Sequence, residues 1–225
     1  MNQESAPGEI ILIDKPLGWT SFQAVKKVKW ILGAKKCGHA GTLDPLATGL
    51  LILCTEKCTK KINEIQDAEK EYTGTIVLGA ITPSYDLETE PEEKRATTEI
   101  TLDKIEALLP EFRGEIMQAP PLFSAIKVEG KRAYKLARQG VDHKLEKRMV
   151  TIRELEIISF ENPVLKFRVT CSKGTYIRSL AHDIGQRLGC GGYLSELRRT
   201  RIGDYMVENA VLPTEVKKPL LSGNE

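Results

Sequence analysis

The sequence predicts an α+β fold on a mixed, largely antiparallel sheet flanked by helices. Three observations carry this. Strand-like and helix-like segments mix along the chain without strict alternation, which argues against a doubly wound parallel sheet. Arg148–Phe160 and Val164–Ser172 read as a strand pair, and the second alternates with period two. There is no internal repeat, low-complexity tract or clear linker, so 225 residues with 41% hydrophobic content suit one large domain or two small ones.

The elements follow in order. Glu9–Pro16, EIILIDKP, reads as a short buried strand that Pro16 ends. Thr20 and Gln23 have the spacing of a capping box, so a helix is expected through Leu32 with Gly33 as its stop. Leu50–Cys54 is an apolar strand, and Glu71–Gly79 is a second β-rich run. Pro83 to about Arg95 has no periodicity and is expected to be an exposed loop. Leu102–Leu109 reads as a helix capped by Thr101 and stopped by Pro110. In Val164–Ser172, Leu165, Phe167, Val169 and Cys171 share one face; Lys166, Arg168, Thr170 and Ser172 share the other. Thr175–Leu188 is a helix with an apolar stripe from Ile177 to Leu188, and Gly189 follows it.

Composition excludes several classes. A mean hydropathy of −0.26 with 28% charged residues is not that of a disordered or collagen-like chain. No apolar run reaches the length of a membrane span, and MNQESAPGE lacks the features of a secretory signal, so a cytoplasmic protein is expected. Five cysteines with no CxxC pair argue against a disulfide framework.

Charge is unevenly spread although the formal net charge is only +2. Residues 82–118 hold ten acids and four bases, a net of −6, whereas residues 127–153 hold nine bases and three acids, a net of +6. Lys26, Lys27, Lys29, Lys35 and Lys36 form an acid-free cluster, and Arg198, Arg199 and Arg201 form another. These segments fit either solvated surface or a polyanion laid across several basic stretches.

Gly38–Leu51, GHAGTLDPLATGLL, is the most unusual segment. Pro45 keeps Asp44 out of the helical region, so its carboxylate is either a positioned nucleophile or base, or part of an Asx-type turn. Cys37, His39, Cys54 and Cys58 fit no common zinc spacing, and the loop lacks the phosphate-loop pattern. Arg178 falls in the first turn of a helix, where the dipole gives a cation nothing; it faces either solvent or a carboxylate or phosphate. Tyr72 opens a strand as a core residue, or as a base-stacking group or general base. His143 and His182 read as surface or capping residues.

These segments together resemble the TruB family of bacterial tRNA pseudouridine-55 synthases. The resemblance rests on six colinear blocks from about Gly8 to Val211: GEIILIDKPLGWTSFQAV, GHAGTLDPLATGLL, KEYTGTIVLG, QAPPLFSAIKVEGKRAYKLAR, CSKGTYIRSLAHDIG and YLSELRRTRIG. It implies the pseudouridine synthase fold with a thumb-like insertion, and a cofactor-free, metal-free isomerisation. A uridine in the tRNA T loop is detached at its glycosidic bond, rotated and rejoined through C5. By the same resemblance Asp44 is the essential carboxylate, Tyr72 the tyrosine that stacks on the base, and Arg178 the arginine paired with the aspartate. Leu197 lines the pocket, His39 fills the space left by flipped bases, and Lys15 and Pro16 support the active-site loop. Residues 124–153 match the thumb, which makes Lys131, Arg132, Arg138, Arg148 and Arg153 candidate phosphate contacts.

The chemistry of these residues agrees with such roles. A stacked uridine has to be flipped out at a cost of a few kcal/mol, and an arginine beside Asp44 would keep its carboxylate ionised. Asp86 aligns with a family aspartate, but the glycine that follows it in the family is replaced here. The expected organisation is a catalytic domain over 8–211 and a short tail over 212–225, without the PUA-type domain of many relatives. Weaker contacts to the acceptor end and a shallower salt dependence would follow. The expected partner is tRNA, with no membrane and no required protein partner, and the protein is expected to be a monomer. The rival readings are a non-catalytic tRNA-binding or tRNA-folding protein, a guide-RNA-dependent synthase subunit, and an unrelated hydrolase using the Asp44 loop.

Overall fold

The computed structural model describes residues 8–124, 127–128, 131–132 and 145–217. The chain divides into two compact units, Met1–Lys70 with Arg198–Glu225, and Glu71–Leu197.

The first unit is ordered as the sequence patterns require. Strand β1 (Ile10–Lys15) pairs antiparallel with β3 (Ala47–Thr55), Ile13 opposite Leu51. The short β2 (Cys37–His39) lies antiparallel on β3, with His39 opposite Leu53. Strand β10 (Gly192–Ile202) enters this unit at Arg198, where it lies next to β3 and pairs antiparallel with β11 (Tyr205–Met206). The chain after β11 returns along β1: Asp14 N–H donates to Val211 O at 2.9 Å and Val211 N–H to Leu12 O at 3.1 Å.

Helix α1 (Ser21–Leu32) starts on the capping box. Gln23 N–H donates to Thr20 Oγ1 at 3.1 Å, and Thr20 N–H donates to Gln23 Oε1 at 2.7 Å. It ends at Gly33, whose φ of 64° is left-handed and lets Ala34 N–H reach Lys29 O. Glu56–Lys61 form a 3₁₀ turn and Ile62–Asp67 form α2. Ala40, Leu50, Ile52, Cys54, Ile65, Ile202 and Val207 make one buried cluster in this unit. Each large aliphatic chain in it contributes about 1.5–3 kcal/mol by leaving water.

In the second unit the strand order is β10, β4 (Lys70–Leu78), β9 (Val164–Cys171), β8 (Arg148–Glu161), β5 (Gly114–Gln118). The pairs β8–β9 and β5–β8 are antiparallel. Leu165, Phe167, Val169 and Cys171 are all buried, whereas Lys166 and Arg168 are exposed, so the alternation of β9 is realised. Thr170 departs from it: the residue is buried and its hydroxyl faces Glu154 across the pair. The register shifts between Ile152 and Glu154, which leaves Arg153 as the extra residue of a bulge.

Three expectations need correction here. Helix α3 (Leu102–Leu108) is capped by Thr101, but Pro110 does not stop the chain's coiling. It sits inside a 3₁₀ turn, Leu109–Phe112, where the missing proline N–H is not needed. Helix α4 (Ile177–Arg187) starts two residues later than Thr175. The Gln118 side chain takes Tyr176 N–H at 2.8 Å and donates to Tyr176 O at 3.0 Å, which holds Tyr176 extended. The loop from Pro83 to Arg95 is not exposed throughout. Ser84 and Asp86 are buried, and Asp86 forms a bridge to Leu194 of β10. Most of the basic segment 127–153 lies outside the described residues; of it, Lys127–Val128 and Lys131–Arg132 form β6 and β7, a two-stranded antiparallel ladder.

Candidate active site

In the first unit, the segment between β2 and β3 carries Asp44 and is held at nearly every backbone position. Ala40 N–H donates to Ile52 O as the chain leaves the sheet. Arg199 of β10 is 1% exposed and points its guanidinium into the loop. It donates to Leu50 O at 2.7 Å, Gly41 O at 3.1 Å and Thr42 O at 3.4 Å. Ser21, in the first turn of α1, accepts from Leu43 N–H at 2.9 Å and donates to Leu43 O at 3.0 Å. Asp44 O accepts from Ala47 N–H at 3.1 Å, closing a turn over Pro45. Pro45 O accepts from Gly18 N–H at 2.9 Å and from Lys15 Nζ at 3.4 Å.

Gly49, near the start of β3, is fixed by sterics. Its φ is +97°, and a Cβ there would stand 2.3 Å from Arg199 O. A glycine is therefore required for β3 to pass so close to β10.

Lys15 is fully buried at the end of β1. Its ammonium donates to Trp19 O at 2.7 Å and Pro16 O at 3.0 Å as well as to Pro45. Burial lowers its pKa to about 8; the Asp44 carboxylate opposes that fall and Arg199 adds to it. The lysine thus knots together the turn after β1 and the residue that follows Asp44. Pro16 is half-buried beside it. Asp44 itself is half-buried.

His39 is the last residue of β2 and feels the Arg199 charge. Its pKa is lowered by burial and then by the Arg199 charge, against a raising contribution from the Gly41 backbone, so the ring is neutral at pH 7. Its Nδ1 is buried with no hydrogen-bond partner among the described residues. A flat, neutral, half-buried ring suits stacking.

The basic cluster at the end of β10 is engaged within its own unit. Arg199 braces the loop, and Arg198 makes a bidentate pair with Asp14 at 3.0 and 2.8 Å. Arg201 donates to Gly203 O. These cations answer groups inside their own unit.

The second unit carries Arg178 in the first turn of α4. The residue is 5% exposed and donates to Ser84 O at 3.2 Å and Phe123 O at 3.1 Å; its Nε lies 3.6 Å from an Asp86 carboxylate oxygen. Asp86 in turn accepts from Glu88 N–H at 2.9 Å. The Ser84 hydroxyl is tied to Asp86 O and to Thr89. Of the two orientations open to Arg178, the inward one toward a carboxylate is realised. Asp86, which the sequence pattern left without a role, is a buried ionic partner.

Tyr85 has φ 65°, and its ring stacks on His182 at 3.9 Å between centroids and 15° between planes. Burial raises the Tyr85 pKa, with a further push from Asp183, and lowers that of His182. His182 is therefore a half-buried stacking partner rather than a surface or capping residue. Burial also lifts Asp183 to about 6, against the pull of Lys147.

The remaining candidates with described side chains lie on β4, β8 and β10. Tyr72 is buried on β4 and Leu197 half-buried on β10. Arg148 and Arg153 are exposed on β8, and Arg148 lies 5.9 Å from the centre of the Tyr176 ring. Arg138 and His143 lie outside the described residues, as do the side chains of Lys131 and Arg132. Sequence reasoning missed Ser21, Gln118 and the internal role of Arg199. Ser21 follows the N-cap Thr20, a hint of a hydroxyl free for a second task, but no local pattern marks Gln118 or Arg199.

The family model for the TruB family pseudouridylate synthase N-terminal domain matches residues 29–177, and that for the tRNA pseudouridylate synthase B C-terminal domain matches residues 178–222. The chain belongs to the TruB family of pseudouridylate synthases. The first match spans Asp44 and Tyr72, and the second spans Arg178, Leu197 and Arg199. Among TruB-family relatives, the tRNA pseudouridine synthase B of Flavobacterium johnsoniae is 54% identical over 216 residues, covering 93% of this chain and 94% of its own. That of Parabacteroides distasonis is 51% identical over 215 residues, covering 93% and 92%. Among solved structures, a chain of a Cbf5-Nop10-Gar1 complex superposes with a TM-score of 0.71 at 35% identity, covering 90% of this TruB-family chain. A chain of an H/ACA RNP bound to a substrate RNA containing 2′-deoxyuridine gives 0.65 at 34% identity, covering 88%. The chain spans about half the length of those two structures, 51% and 48%. The fold is α+β, that of the pseudouridine synthases.

Proposed function

We propose that this tRNA pseudouridine synthase isomerises the T-loop uridine at position 55, with Asp44 as the essential carboxylate. The observation that carries the reading is the bracing of the Asp44 loop. Arg199, Ser21, Gly18 and Lys15 fix the backbone on both sides of one half-buried carboxylate. Such pre-organisation suits a group that has to meet a reacting atom without rearrangement.

In the reaction the N1–C1′ bond breaks, the uracil rotates and a C5–C1′ bond forms. The C5 hydrogen then leaves as a proton and N1 ends protonated, so no oxidant, reductant or second substrate is consumed. Breaking N1–C1′ leaves C1′ electron-poor, and a fixed carboxylate is suited to stabilising or capturing it. Tyr72 stacks on the base and takes part in removing the C5 proton. Arg178 balances negative charge during the reaction, Leu197 lines the base pocket, and neutral His39 fills space vacated by flipped bases. Lys15 and Pro16 position the loop rather than touch the RNA. Arg148 and Arg153 meet phosphates, together with Lys131, Arg132 and Arg138. The same reading makes residues 8–211 the catalytic domain, with a thumb at 124–153, in a cytoplasmic monomer.

The test is tritium release from an unmodified tRNA transcript labelled at uridine C5. About one tritium per tRNA is expected from the wild type, none from Asp44→Ala, and none from a transcript with cytidine at position 55. Binding without release by the wild-type protein would instead make it a non-catalytic tRNA-binding protein.

A further inference from the structure

Helix α1 leaves two large rings in water. Phe22 is 72% exposed and Trp30 is 76% exposed, whereas Ala24, Val25 and Val28 on the opposite face are buried. Lys26 and Lys29, between the rings in sequence, are exposed as well. At about 100° per residue, Phe22, Lys26, Lys29 and Trp30 fall within one arc of about 100°, and the two rings are about 12 Å apart along the axis. Lys27 Nζ lies 5.2 Å from the centre of the Trp30 ring.

Along the sequence the charge of this stretch has one sign, and the nearby Glu56 carboxylate is taken up by the backbone N–H groups of Lys35 and Lys36 at 2.6 and 3.2 Å. Thr20–Gly41 contain five lysines and no acid. Among the described residues no carboxylate forms an ion pair with Lys26, Lys27, Lys29, Lys35 or Lys36. A helix that buries its apolar stripe and still presents two aromatic rings interleaved with lysines has the make-up of a single-stranded nucleic-acid platform. A membrane surface fits poorly, because the rings are separated by cations and form no continuous apolar face.

We propose that this face of α1 binds RNA: unpaired bases stack on Phe22 and Trp30 while Lys26 and Lys29 meet the adjoining phosphates. The choice of RNA as the polyanion rests on the function proposed above. The face lies on the outer side of α1, and it provides affinity for the RNA rather than chemistry.

The test measures binding of an unmodified tRNA transcript by filter retention in an Asp44→Ala background, where turnover plays no part. Each ring removed, Phe22→Ala or Trp30→Ala, is expected to weaken binding roughly 5- to 150-fold. Lys26→Gln with Lys29→Gln is expected to flatten the slope of log affinity against log salt by about 1.4. Trp30→Phe, which keeps a ring, is expected to bind normally; in a Trp19→Phe background, where Trp30 is the sole tryptophan, RNA is expected to quench the fluorescence. Unchanged affinity and slope in folded variants, or an absence of quenching in the Trp19→Phe protein, overturns the proposal. So does a change in sedimentation or in binding to phosphatidylserine vesicles that replaces the loss of RNA affinity. Because the readout is affinity, an absence of tritium release by the wild type would count against the catalytic reading alone.

Discussion

The Ser21 hydroxyl satisfies both backbone groups of Leu43, accepting from its N–H at 2.9 Å and donating to its carbonyl at 3.0 Å. Leu43 immediately precedes Asp44, so a side chain at the start of α1 sets where the carboxylate begins. Ser21→Ala leaves a buried donor and acceptor without that partner, and a stability loss of about 2–4 kcal/mol is expected in urea unfolding. The single-turnover rate at saturating tRNA is expected to fall at least tenfold while tRNA affinity is kept. Unchanged rate and stability would show that the clamp does not matter.

Arg199 reaches three carbonyls with one planar fork, a task no lysine geometry repeats. Arg199→Lys keeps the charge but loses most of those bonds. A loss of about 2–4 kcal/mol in urea unfolding is expected, together with faster proteolysis within Gly38–Leu50. A variant within 0.5 kcal/mol of wild type, in order-of-magnitude terms, would contradict the bracing role.

Lys15 supplies a test by pH. Its folded pKa is about 8, below the usual lysine value of about 10.4. Between those values the unfolded chain holds more protons, so this lysine's contribution to stability rises with pH across that window. Below pH 8 the charged form carries its full burial penalty. The stability of wild type relative to Lys15→Met is therefore expected to increase from pH 8 to pH 10 in chemical denaturation. A flat difference would mean that the ammonium is not strained by burial.

Asp183 gives the opposite slope at acid pH. Its folded pKa of about 6 lies above the usual carboxylate value, so the folded state holds the extra proton between about pH 4 and 6. Stability contributed by this group is complete below pH 4 and is lost as pH rises through 6. Asp183→Asn is expected to unfold at a higher temperature than wild type at pH 7.5, with the gap closing by pH 4. Equal melting temperatures at pH 7.5 would remove the burial argument.

Local pattern was enough where local chemistry decides. The capping box at Thr20 and Gln23, the glycine stop at Gly33 and the alternation of β9 all follow from interactions within a few residues, and all stand in the structure. The restrained turn at Asp44 was readable from Pro45 alone. What could not be read were partners far apart in the chain. Arg198, Arg199 and Arg201 look like an exposed basic run until their acceptors are known. Those acceptors are Asp14, the carbonyls of residues 41, 42 and 50, and Gly203. Asp86 looks like one more acid in a solvated loop until Arg178, from a helix far downstream, turns inward to meet it.

The guanidinium that fixes the Asp44 loop comes from a residue 149 positions beyond one of the carbonyls it holds. During synthesis, the glycine-rich segment leaves the ribosome long before its brace exists. A nascent chain that has not yet extruded Arg199 therefore carries every atom of the carboxylate and none of the anchoring that Arg199 provides. The reactive loop matures with one of the last strands to be made, so an incomplete product of translation lacks its main brace.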